Sequence, residues 1–171
     1  GDTGASGGGR RDAMTEPAAH ALELRRVAES DFETVFSITM ETMRAYVEAT
    51  WGVWDDAEHR ARIRASFDPS THRLVHVDGQ LAGLLAAEEH PEHVQLVKVF
   101  LLPPFQGRGI GTRLVRQVMA QAAAQGRPVR LRVLRVNPAQ RLYLRLGFVI
   151  TDETPERLYM QWRPGSDPRT A

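Results

Sequence analysis

The stretch Leu101-Leu102-Pro103-Pro104-Phe105-Gln106-Gly107-Arg108-Gly109-Ile110-Gly111-Thr112 decides how this chain is read. Before it, His93 to Leu102 is a dense apolar run (Val94, Leu96, Val97, Val99, Phe100, Leu101) that reads as a strand and is stopped by Pro103-Pro104. After it, Ile110, Leu114, Val118 and Ala122 recur at helical spacing, which predicts a helix from about Gly109 to Gln125 capped by Gly126. The N–H groups of a helix's first turn lack intrahelical partners, and the helix dipole adds partial positive charge there. Glycines at that point keep side chains out of the way of an anion. The pattern therefore predicts a cradle for phosphate or pyrophosphate. A Walker loop needs Gly-Lys-Ser/Thr, and Lys98 is the only lysine of the chain. A dinucleotide fingerprint wants G-x-G-x-x-G near the first strand and an acidic residue about 20 positions on. This loop is G-x-G-x-G, lies past the middle, and is followed by a strand carrying Arg130, Arg132 and Arg135.

Working outward, Leu22 and Leu24, with Val27, alternate as a short first strand. Ser30-Asp31 then supplies a helix start for Phe32, Val35, Phe36, Ile38 and Thr39. Met40 to Trp54 carries mixed signals, with Gly52 expected to interrupt any helix, and Asp55-Asp56 opens a second helix that Asp68-Pro69 ends. Leu74 to Val77 and Leu81 to Ala87 flank Asp78-Gly79 as a tight hairpin. Beyond the glycine loop, Val129, Leu131, Val133 and Val136 form a strand. Asn137-Pro138 starts a helix with Asn as cap and Pro at its first position, ending at Gly147. Phe148 to Ile150 and Arg157 to Trp162 are the last strands. The order β-α-α-β-β-β-α-β-α-β-β predicts a mixed sheet with helices on both faces, class α+β or α/β.

With 171 residues the chain fits one domain, expected over residues 20–165. Residues 1–19, opening Gly-Asp-Thr-Gly-Ala-Ser-Gly-Gly-Gly, are expected to be a disordered tail or an added remnant ahead of a natural start at Met14, and 166–171 a C-terminal tail. The formal net charge of +1 gives no global field for nucleic acid, and the arginines of 127–145 lie on several faces with little aromatic interleaving. Zero cysteines exclude a disulfide scaffold, a thiolate metal site and a cysteine nucleophile. The six histidines show no ligand spacing, so no metal is expected. No apolar run approaches the ~20 residues of a membrane span, so the default expectation is a cytoplasmic protein without a membrane partner.

The second constellation is Asn137-Pro138-Ala139-Gln140-Arg141-Leu142-Tyr143-Leu144-Arg145-Leu146-Gly147-Phe148. Singly, Asn137 reads as a cap and Tyr143 as core, but a tyrosine hydroxyl can also donate a proton to a leaving thiolate. Gln106-Gly107-Arg108-Gly109-Ile110-Gly111 and Asn137 to Phe148 together resemble the two signature motifs of the GNAT superfamily of N-acetyltransferases, Q/R-x-x-G-x-G/A and N-x-A…L-Y…G-F. Leu24 to Asp31 also resembles its first strand and helix, so the resemblance spans about residues 21–163.

The resemblance implies a central, mostly antiparallel sheet splayed between strands 4 and 5, with acetyl-CoA as acetyl donor in the gap. It implies that the backbone of Val99, Phe100 and Leu101 pairs with the pantetheine arm. Gln106, Gly107, Arg108, Gly109, Ile110, Gly111 and Thr112 would hold the pyrophosphate, with Arg108 and Arg113 adding charge. Asn137 would bond the pantetheine and Tyr143 act as general acid toward the departing sulfur. The acetyl group would pass directly to a primary amine. The glutamates that serve as base in the superfamily correspond here to Gln95 and Arg132. Glu89 is the base expected in their place, with Glu88 and His93 as neighbours able to take the proton, and base-free attack by a neutral amine is equally allowed.

In the superfamily the acceptor site is built from the first two helices, their connection and the last strands. That connection holds Tyr46, Trp51 and Trp54 beside Glu48, Asp55 and Asp56, a combination that attracts a cationic amine or else packs as core. A small-molecule amine is the expected acceptor, with a peptide or protein amine and a non-catalytic acyl-CoA sensor as alternatives. Dimers are common in the superfamily, so a homodimer is compatible with the sequence.

Overall fold

The computed structural model describes residues 20–165; the tails expected at 1–19 and 166–171 lie outside the described residues. Seven strands, β1 (Leu22–Arg26), β2 (His72–Val77), β3 (Gln80–Glu89), β4 (Val94–Leu101), β5 (Val129–Leu134), β6 (Val149–Glu153) and β7 (Arg157–Trp162), form one sheet in the order β1-β2-β3-β4-β5-β7-β6. Neighbours are antiparallel except β4 and β5, which run parallel. Among the described residues there are four α-helices, α1 (Phe32–Trp51), α2 (Asp56–Ser66), α3 (Ile110–Ala124) and α4 (Gln140–Arg145).

Strand alternation divides the core into two layers. Leu74 and Leu84 join Val35, Phe36 and Ile38 of α1 and Ile63 of α2 on one face, whereas Val75 and Leu85 join Ile110, Leu114 and Val118 of α3 and Tyr143 of α4 on the other. Helices therefore cover both faces, as the element order predicts. The hairpin Asp78-Gly79 has φ of 50° and 80°, the paired positive values that a tight two-residue connection requires.

One segment left open by the sequence is settled, with Gly52 ending the helix as expected, and one expectation needs correction. The mixed segment from Met40 is helical as far as Trp51, because α1 puts Thr39, Met43, Val47 and Trp51 on one stripe and ends only where Gly52, at φ 81°, donates its N–H to Glu48 O at 2.7 Å. The helix after Asn137-Pro138 starts later than its cap-and-proline signal suggests. Asn137 Oδ1 accepts from Ala139 N–H at 2.9 Å, closing a turn ahead of Gln140 instead of the first turn of α4.

Candidate functional site

The sheet opens where β4 meets β5. Their register consists of Val94 with Val129 and Gln95 with Arg130, while β4 continues to Leu101 and β5 to Leu134. Beyond Gln95 the edge of β4 that faces β5 has no strand partner, and buried backbone groups without one need another. On its other edge β4 pairs with β3 along its length, with a bulge: Ala87 opposes Leu96 and Ala86 opposes Lys98, leaving Val97 as the extra residue. Gly83 makes that contact close. A Cβ there would stand 2.0 Å from the Phe100 carbonyl oxygen.

A cleft of about 970 Å³ fills the opening. Val99 and Phe100 form one wall, and Leu131 to Leu134 the opposite one. Asn137, Ala139 and Tyr143 close one end, and Met43, Trp51 and Trp54 stand at the α1–α2 side. Tyr143 is 7% exposed and packs edge-on against Phe148 at 5.7 Å between ring centres. Burial pushes its phenol up to about 12, so the hydroxyl keeps its proton. Trp51 lies under the Arg157 guanidinium at 5.2 Å, and Trp54 stacks on His59 at 3.9 Å while its indole N–H reaches Asp56 at 2.6 Å. Both tryptophans thus belong to the cleft and not to the core.

The glycine loop sits at the end of β4, outside the lining of this cleft, as does Leu101. Gly107 and Gly109 have φ of 73° and 77° with open space where a side chain would point, and Gly109 caps α3. The first intrahelical bond of α3 runs from Arg113 N–H to Gly109 O at 3.1 Å, so the N–H groups of Ile110, Gly111 and Thr112 precede it and are oriented out of the helix start. This donor set fits an anionic pyrophosphate. Gln106 Nε2 donates to Leu101 O at 2.9 Å and ties the loop to the strand. Arg108 lies over the Phe105 ring, whereas Arg113 donates to the His20 carbonyl at 2.7 Å, beside β1.

Other expected site residues fall elsewhere. Glu89 opposes Val94 and shares the α3 face of the sheet; it is exposed and does not line the cleft. Its neighbour Glu88 opposes Gln95, and strand alternation turns both into the cleft. His93 bonds Gln95 Oε1 at 3.2 Å, stacks on His90 and also stays outside. Tyr46 is half-buried, one residue round α1 from Val47, and does not reach the cleft.

The sequence reading missed one polar pair. Lys98, 9% exposed in the middle of β4, lines the cleft, and its Nζ lies 3.1 Å from Nε2 of His72, itself 2% exposed. His72 opposes Ala86 and Ala86 opposes Lys98, so the three residues form a row across β2, β3 and β4. The small Ala86 leaves the space through which the lysine reaches the histidine. Burial brings Lys98 down to about 8 and also lowers His72, which the charge of Lys98 depresses further. The signal in the sequence was a lone lysine inside an apolar strand.

The comparisons with known proteins agree with this geometry. The model of the Acetyltransferase (GNAT) family matches residues 32–148. An "Uncharacterized N-acetyltransferase" of Archaeoglobus fulgidus is 25% identical over 115 residues, 63% of this chain and 78% of that protein. The structure of PaiA N-acetyltransferase from Thermoplasma acidophilum in complex with coenzyme A superposes with a TM-score of 0.65 at 19% identity, covering 84% of this chain and 99% of that one. Arabidopsis thaliana Naa50 in complex with the bisubstrate analogue CoA-Ac-MVNAL superposes with a TM-score of 0.57 at 19% identity, covering 82% and 96%.

Proposed function

Since the chain belongs to the GNAT acetyltransferase family, and so is an N-acetyltransferase, we propose that it moves an acetyl group from acetyl-CoA directly to the primary amine of a small molecule. The observation that carries this reading is the opening between β4 and β5, where an unpaired strand edge, Asn137 and Tyr143 meet one cleft. When bound, acetyl-CoA supplies an acetyl thioester whose sulfur leaves as the amine attacks.

The roles of the residues follow from what each can donate. On the free edge of β4 the N–H and C=O groups come from alternate residues, Val99 and Leu101, which flank Phe100. They offer these groups to the amides of the pantetheine arm as a strand would to a neighbouring strand, with Leu101 O shared with Gln106. The N–H groups of Gly107 to Thr112 take the pyrophosphate, with Arg108 adding charge from the exposed side; Gln106 holds the loop against β4. Arg113 donates one of its N–H groups to the His20 carbonyl, so its share in phosphate binding rests on its remaining donors. Asn137 spends its oxygen on the turn and leaves its amide nitrogen for the pantetheine. Tyr143 acts as hydrogen-bond donor to the departing sulfur. A phenol near 12 gives up its proton less readily than a thiol of about 8.5, so the donation stabilises charge while it develops.

Trp51 and Trp54 line the α1–α2 side of the cleft with aromatic surface, which supports a small cationic acceptor. The Naa50 structure carries a peptide-bearing analogue, so free peptide N-termini belong in the same test. Calorimetric titration with acetyl-CoA, followed by thiol release against small amines and a short alanine-led peptide, tests the reading. Micromolar binding with turnover of small amines supports it. Turnover of the peptide alone moves the acceptor to protein N-termini, binding without turnover leaves a sensor, and absence of binding removes the reading.

A further inference from the structure

The two superfamily base positions hold Gln95 and Arg132, and Glu89 and His93 lie outside the cleft. Glu88 does line it, but sits opposite Gln95 where β4 is still paired with β5, short of the open stretch. We propose that Lys98 is the general base of this site, oriented by His72. This rests on the acetyltransferase reading and assigns a residue to a step that reading leaves open.

The geometry supports it from both ends of the hydrogen bond. His72 Nδ1 stands 2.7 Å from the Asp68 carbonyl oxygen, a pure acceptor, so Nδ1 carries the ring proton. Nε2 is then a lone pair and must accept, and Lys98 Nζ donates to it at 3.1 Å. One N–H of the lysine is thereby fixed toward β2. The amine is held at one orientation in the cleft wall, the arrangement of base and orienting group that recurs where a side chain handles protons. Lys98 stands one residue past the bulge at Val97, on the stretch of β4 that has lost β5, and on the face of Glu88 and Gln95. Among the described residues no carboxylate lies within ion-pair distance of it. A buried ammonium without a counter-ion is costly, and the lysine relieves that cost by shedding its proton near neutral pH, where a base has to work.

Other ionisable groups line the cleft around this lysine. His72 and the Asp68 backbone approach from β2 and the turn before it, and Glu88 from β3. His59 and Arg62 line the same cleft from α2, Arg130 and Arg132 from β5, Tyr143 from α4, Asp152 from β6, and Arg157 and Tyr159 from β7; the α1 residues that line it are Thr39, Met43, Val47 and Trp51, none of them titratable. The arginines favour the neutral lysine, and the carboxylates Glu88 and Asp152 oppose them. In the step itself the acceptor nitrogen forms its bond to the acetyl carbon, the carbon–sulfur bond breaks, and the proton from that nitrogen passes to Lys98 Nζ, directly or through one water. The sulfur leaves as a thiolate on the Tyr143 hydroxyl, and Lys98 returns its proton to solvent.

Because Lys98 is the only lysine, protein grown on lysine enriched with carbon-13 at Cε gives a single lysine resonance to titrate. The expected midpoint is about 8, against an ordinary 10.5, and it falls further in His72→Leu because the lost acceptor had favoured the ammonium. A midpoint at the ordinary value overturns the base whatever the acceptor, and a midpoint indifferent to His72→Leu overturns the role of the histidine. In turnover of acetyl-CoA with tyramine, spermidine or an alanine-led peptide, Lys98→Met and Lys98→Arg are each expected to lose ~10²–10⁴-fold in kcat, the usual range for acid–base catalysis. Both variants lose the alkaline rise of the rate and retain acetyl-CoA affinity. Full activity in Lys98→Arg means that charge alone is needed and overturns the proposal, as does a wild-type protein that binds acetyl-CoA and acetylates no amine. Failure to bind acetyl-CoA at all is a separate result, which removes the proposed function and the base with it.

Discussion

The two edges of β4 are put to opposite uses. Toward β3 the strand pairs at seven positions from Val94 to Leu101; toward β5 it pairs at two and then stands open. The same eight residues thus build the sheet on one side and leave backbone donors and acceptors on the other. An open edge inside a protein is a liability unless something occupies it. Here the occupant proposed is a ligand arm made of amides, which needs no particular side chain from the strand, only its backbone and its position.

The most severe way to break the open side is to fill the loop at its end. Gly109→Glu places a carboxylate in the proposed anion cradle and forces a non-glycine residue to φ 77°. Affinity for acetyl-CoA is expected to fall by at least ~100-fold, on the order of 3 kcal/mol, with the fold retained. Calorimetry and a thermal melt on the same sample separate the two effects, and unchanged affinity would remove the loop from the donor site. Tyr143→Phe comes next. Losing one hydrogen-bond donor to developing charge is expected to lower kcat by ~10²–10³-fold with acetyl-CoA affinity near normal. A normal rate would return Tyr143 to the hydrophobic layer it shares with Phe148.

The paired side has its own weak point. Gly83→Ala drives a methyl group to 2.0 Å from the Phe100 carbonyl oxygen, and backbone cannot move aside as a flexible side chain would. A loss of ~3 kcal/mol or more, the upper end for overpacking, is expected in urea unfolding. The displaced Phe100 should also weaken acetyl-CoA binding, which links the two edges; a stable variant with altered affinity alone would mean that β4 shifts as a unit.

The difference between the edges also explains what the sequence disclosed. The elements around the proposed donor site were legible because their parts are local: a strand stopped by Pro103-Pro104, glycines at Gly107 and Gly109, a helix with a clear stripe, and Asn137 and Tyr143 six residues apart, both of which line the cleft. The strand order of β5, β7 and β6 and the row His72–Ala86–Lys98 depend on register across several strands. No short window of sequence holds that information. Glu88 and Glu89 show how fine the distinction is: strand parity alone decides which carboxylate meets the cleft. Likewise the bulge at Val97 puts Lys98 on the face it would otherwise leave. On α1, the apolar stripe extended through a segment whose polar residues obscured it, and Tyr46 fell outside by a single step of the helix.

The mildest prediction concerns the proposed acceptor side, where side chains and not backbone would do the selecting. Trp51 is 46% exposed, so little core packing depends on it, and Arg157 already occupies one face of its ring at 5.2 Å. A cationic acceptor gains from the remaining aromatic surface about what an exposed cation–π contact contributes, ~0.5–1 kcal/mol. Trp51→Ala is therefore expected to raise the KM for a small amine by roughly two- to fivefold, the ratio that such an energy implies at one factor of ten per ~1.4 kcal/mol. The KM for acetyl-CoA and the melting temperature should stay put, since neither the loop nor the core touches this ring. A matching rise for acetyl-CoA would mean that the two halves of the cleft are coupled through the β4 opening. A large drop in melting temperature would instead mean that the tryptophan fastens the end of α1, and that acceptor selection rests on Trp54 and the β6–β7 side of the cleft.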